Sequence, residues 1–144
     1  MGYTHHWYQD GELDADKFKK ASADCKKLCK GSSIQFEYDD NKLPIFTNEQ
    51  IRFNGIGEDG YEIFFIERVY KSSYPQTNRS GRYYSFCKTA QKLYDRYVVA
   101  CLIILKHYLG DSISISSDGD IDDWSEGKTL CIQVLGYGDS FKFY

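Results

Sequence analysis

The longest apolar run of the chain is YVVACLIIL, residues 97–105. A membrane-spanning helix needs about 20 such residues, so this run predicts a buried helix inside a folded core. The helical pattern extends over 90–109, with Lys106 and His107 suited to its C-terminal dipole and Gly110 as the stop. A second helical pattern covers 14–30. Phe18, Ala21, Cys25, Leu28 and Cys29 form one apolar stripe, Asp14 stands at the N-cap and Gly31 supplies the stop. The six lysines of this segment lie mostly off the stripe. Ile121, Trp124, Lys128, Cys131 and Leu135 predict a third helix near 121–135, ended by Gly136.

Elsewhere the period is two. YTHHWYQ (3–9) sets Tyr3, His5 and Trp7 on one face and Thr4, His6 and Tyr8 on the other. SIQFEY (33–38) alternates in the same way. Residues 49–54 and 61–70 read as an antiparallel hairpin, its Gly-rich loop punctuated by Asn54-Gly55 and Asp59-Gly60. Both faces of 61–70 carry apolar side chains, which predicts a central strand. Residues 72–81 read as a loop, 82–86 and 112–116 as strands, and 140–144 as a strand or a packed tail. This order predicts an α+β fold. It is a single domain over 1–144, with a twisted, mainly antiparallel sheet and about three helices packed on it.

Composition narrows the function classes. A net charge of −3 gives no global attraction to nucleic acid. Thirteen Tyr and nine Phe favour strands and leave many phenol hydroxyls for surfaces or pockets. The five cysteines are an odd number, and the polar, aromatic opening MGYTHHWYQD is not a secretory signal. The expectation is reduced thiols, a cytoplasmic location and no membrane partner.

Candidate chemistry concentrates in a few segments. In FCKTAQKLYD (86–95), Lys88 and Thr89 stand where the helix is predicted to start, and Lys92 follows Lys88 at i+4. Free N–H groups and the dipole would favour an anion there. The alternative is a Thr89 cap, a solvated Lys88 and an Asp95–Lys92 pair. In SSDGDIDDW (116–124), Asp118, Asp120 and Asp122 have the early spacing of a calcium loop. Asp123 occupies the Gly position and Thr129 the Glu position, so turn and helix-cap roles are the alternative, and neither a metal nor a cofactor is expected. His5 and His6 are strand neighbours and cannot chelate one ion together. A Cys87–His5 nucleophile pair has no local signature. Glu67, on an otherwise apolar strand face, is either an acid–base group or a partner of Arg52 across the hairpin. Asn54, Trp7, Tyr94 and Ser116 complete a polar, aromatic-lined pocket if these segments converge.

Several of these stretches carry a resemblance. MGYTHHW, FNGIGEDGYEIFFIERV (53–69), FCKTAQKLYD, KHYLGD (106–111) and SSDG (116–119) resemble, in the same order, a widespread family of small uncharacterised proteins from bacteria, phages and large DNA viruses. His6, Leu93 and Tyr108 depart from the family pattern. The resemblance implies no catalytic residue and marks the same polar segments.

The first expectation is a cytoplasmic protein that binds a small anionic, nucleotide-like ligand through Lys88, Thr89, Lys92, Tyr94, Asn54, Trp7 and Ser116. A viral or phage protein of this kind would sequester a host signalling nucleotide in the host cytoplasm. The second is a small hydrolase or nucleotide-processing enzyme using Asp95, Asp118, Glu67 or His5. The third is an interaction module that inhibits a host protein through a Tyr-rich surface.

Overall fold

The structure, a computed structural model, describes residues 3–37, 42–71 and 81–143. Its elements in chain order are β1 (Thr4–Gln9), α1 (Ala15–Lys30), β2 (Phe36–Glu37), β3 (Ile45–Phe46), β4 (Gln50–Gly55), β5 (Phe64–Glu67), β6 (Tyr83–Lys88), α2 (Asp95–Leu109), β7 (Ile113–Ser117) and α3 (Ser125–Leu135). The fold is α+β, and every strand pair among the described residues is antiparallel.

The apolar run lies within α2 and belongs to the core. Every residue from Tyr97 to Leu105 is buried, and α1 and α3 pack against α2. The α1 stripe is buried as its period dictates, and the Asp14 side chain accepts from the Lys17 N–H at 2.9 Å. Close approach of α3 to α2 depends on Gly127. A Cβ there would stand 2.7 Å from Val99 Cβ and 2.8 Å from the Arg96 carbonyl oxygen.

The strands divide into two sheets, where the sequence pattern predicted one. The first has the order β6-β1-β7, and the second is built around β4, which pairs with β2, β3 and β5. The faces of β1 fall as its alternation predicts. His5, Trp7 and Gln9 point into the core, while His6 and Tyr8 lie on a half-buried outer face. No described helix is long and apolar enough to cross a membrane.

Four boundaries or placements differ from expectation. The main helix starts at Asp95, not residue 90. Ala90 and Gln91 take φ values of 51° and 53°, a left-handed turn that cannot continue into α-helix. Residues 121–124 form a turn ahead of α3, and Ile121 is exposed. Among the described residues β5 pairs with β4 alone, so it is an edge strand. Tyr61 and Ile63, which suggested a second buried face, are exposed. The strand expected over 33–38 is limited to Phe36–Glu37, and Tyr38 lies outside the described residues. So does nearly all of the loop expected at 72–81. The C-terminal segment is a packed tail, with the Phe141 ring stacked on Trp124 at 5.1 Å and Phe143 edge-on at 4.9 Å.

Candidate functional site

His5 organises the most connected polar cluster. It sits on the inner face of β1 with no solvent exposure. Its Nε2 lies 2.6 Å from Asp95 Oδ1, at the first residue of α2. Its Nδ1 lies 2.8 Å from Ser117 Oγ, at the end of β7. Ser117 Oγ accepts the Gly119 N–H at 3.0 Å, so its own proton is available to His5. The network is satisfied by the tautomer that carries its proton on Nε2 and donates to Asp95. Thr89, also fully buried, donates to the same Asp95 Oδ1 at 2.5 Å.

Both donors thus converge on one carboxylate oxygen. No described residue hydrogen-bonds Asp95 Oδ2, and the Asp95 side chain retains 15% exposure. Asp95 forms part of the wall of a polar cleft of about 380 Å³ between the 91–96 turn and the start of α3. Lys92, Arg96, Asp122, Asp123 and Glu126 also line it. Arg96 is paired with Glu126 at 2.9 Å, so Lys92 is the cation of the lining not engaged in an ion pair among the described residues. With four carboxylates against two cations among its described lining residues, the cleft suits a ligand that donates hydrogen bonds and carries little negative charge.

Aromatic side chains pack around the His5 ring. Trp124 meets the His5 ring edge-on at 5.2 Å and Tyr3 meets it at 5.2 Å from another side. Tyr3 Oη is buried against Gly119, where an added Cβ would overlap it. Burial, and next the negative charge of Asp95, push the Tyr3 phenol up to about 12.

The other sequence candidates are dispersed. Lys88 ends β6, seven residues before α2, so it is neither at a helix start nor on one helical face with Lys92. Its N–H donates to Glu62 Oε1 at 2.8 Å. Tyr94 is buried and donates to the Glu62 carbonyl at 2.6 Å. Trp7 is a core side chain packed on Phe64. Asn54 clasps the backbone of Tyr61 with both ends of its amide, which fixes the Gly-rich loop. Ser116 is paired with His6 in the β1–β7 register and shares its outer sheet face. Asp118 Oδ2 accepts the Thr4 N–H at 3.0 Å, and its Oδ1 lies 3.6 Å from His6 Nε2. On that same face His6 Nδ1 is 2.5 Å from the Tyr84 hydroxyl.

Glu67 sits opposite Gln50 and not opposite Arg52, whose register partner is Phe65. The Arg52 guanidinium lies 4.0 Å over that Phe65 ring. Cys87 does stand directly across from His5 in the β1–β6 register. Burial pushes its thiol up to about 12, the reverse of what a nucleophile needs. Among the described residues, no group of three or more His, Cys, Asp or Glu has the geometry to hold a metal.

Sequence reasoning missed Ser117, Tyr3's part beside His5, and Arg96. Ser117 was within reach, since strand alternation from Ile113 and Ile115 carries it to the inner face. No protein-family model matches this chain, nor does any curated protein or solved structure.

Proposed function

We propose that this protein binds a small nucleotide-like ligand in the cleft beside Asp95. The observation that supports the reading is the doubly anchored carboxylate. His5 and Thr89, both buried, hold Oδ1 and leave Oδ2 without a hydrogen-bond partner among the described residues, on a residue that lines the cleft. Carboxylates held in this way accept hydrogen bonds from sugar hydroxyls or exocyclic amines. Lys92, at the cleft rim, supplies the charge for one phosphate or comparable anionic group. Asp122 and Asp123 disfavour a polyphosphate, so the ligand is expected to carry a low charge. The resemblance to phage and large-virus proteins extends this proposal to sequestration of a host signalling nucleotide.

A second reading is acid–base chemistry on such a ligand. The Ser117–His5–Asp95 chain favours it, because Asp95, the member that lines the cleft, is held in place as a base by the fully buried His5, itself hydrogen-bonded to Ser117.

The test is thermal stability against nucleosides, nucleoside monophosphates, cyclic dinucleotides and sugar phosphates, followed by recovery of the bound compound. A ligand at 100 times its dissociation constant stabilises the fold by about 2.7 kcal/mol. Binding lost in Asp95→Asn, with ligand returned intact, supports capture. Product formation supports the second reading. A flat panel with the protein folded removes both and leaves a macromolecular partner.

A further inference from the structure

Away from Asp95, the C-terminal half of α1 and the short strands β2 and β3 enclose a groove of about 620 Å³. Its inner wall is the apolar faces of Phe36 and Phe46, both packed on the buried Phe53 ring at 5.4 and 5.8 Å. That wall is therefore part of the core and holds its shape without a ligand. Leu43 stands on the rim with 83% of its surface in water, the most exposed large apolar side chain among the described residues. Cys29 lies at the base.

The charged groups that line this groove among the described residues are of one sign. Lys26 and Lys30 line it, four residues apart on α1, so they stand one turn apart on the same face of the helix. No described carboxylate lines the groove, and neither lysine forms an ion pair among the described residues. An apolar trough of this volume falls in the range of small-molecule sites, well short of the area that a stable protein partner covers.

We infer that this groove binds a free long-chain carboxylate, its tail against Phe36, Phe46 and Leu43 and its head between Lys26 and Lys30. Charge complementarity selects the head. A neutral chain would leave both lysines without a partner, and a cationic chain would meet two like charges. The exposed Leu43 gives the tail an apolar surface that water otherwise covers. This site is independent of the Asp95 cleft and shares no residue with it.

The test uses dodecanoate below its micellar concentration, with dodecanol and dodecylamine as charge controls. Binding is read by displacement of anilinonaphthalene sulfonate, itself an apolar body with one anionic head, and by amide shifts in residues 26–36 and 43–46. Dodecanoate is expected to displace the dye, and dodecylamine is not. The double change Lys26→Gln, Lys30→Gln weakens dodecanoate about tenfold, two partly exposed charge contacts' worth. Leu43→Ser weakens dodecanoate and dodecanol alike. The proposal is overturned if dodecanoate and dodecanol bind equally, if the double change leaves the affinity intact, or if the shifts fall outside the groove.

Discussion

The cleft beside Asp95 and the groove beside Phe36 are concavities of similar scale made in opposite ways. In the cleft, a carboxylate is fixed from behind by hydrogen bonds to His5 and Thr89, both inaccessible to water. The groove carries its described charge in two solvated lysines beside an apolar wall. Removing a buried donor leaves a desolvated partner unsatisfied, so the cleft is coupled to folding. Removing a surface lysine lets water take its place, so the groove is not. The difference gives each region its own experimental signature: changes at the cleft register in stability first, and changes at the groove register in binding alone.

The largest effect that tests this contrast is His5→Ala. It removes a buried ring and takes one hydrogen bond each from Asp95 and Ser117, and should cost about 3 kcal/mol or more in urea denaturation. A cost under about 1 kcal/mol would break the picture of a structurally coupled cleft. Next comes Gly127→Ala, whose Cβ meets Val99 and the Arg96 carbonyl. The overpacking should cost about 1–3 kcal/mol and displace the start of α3 from the cleft wall.

Asp95→Asn keeps the shape and weakens two charge-assisted hydrogen bonds. It should lower stability by about 1–2 kcal/mol and abolish ligand binding in the cleft. Dodecanoate affinity in the groove should stay unchanged in that variant. Leu43→Ser is the converse. Stability should stay within about 0.5 kcal/mol of the parent while groove binding falls.

A separate effect is alkaline. The Tyr3 phenol is raised in the folded protein to about 12 from an ordinary value near 10. Its contribution to stability is complete below pH 10 and is lost as pH rises through about 12, because the unfolded chain releases the proton first. Cys87 acts in the same direction, with its thiol raised from about 9 to about 12. Stability measured from pH 9 to 12 should therefore fall, and Tyr3→Phe should make the decline shallower.

Much of the fold was legible from local periodicity. The Asp14 cap, the α1 stripe, the fully buried 97–105 run and the Gly136 stop all appear where their residues predict. Alternation along β1 was enough to send His5 inward and His6 outward. These features follow from the chain's own geometry, since a period of 3.6 or 2 selects which side chains leave water together. The sequence also marked Asp95, Thr89 and His5 as chemically notable. It could not join them, because His5 and Asp95 are 90 residues apart and meet only once β1 and α2 have packed. Nor could it foresee the left-handed turn at Ala90 and Gln91, which removes Lys88 from the helix start. The edge position of β5 and the groove between α1, β2 and β3 likewise depend on which distant segments share a boundary. Periodicity is a property of neighbours along the chain. Which polar groups are buried together, and which apolar surface stays uncovered, is decided by the packing of elements that only the folded molecule brings into contact.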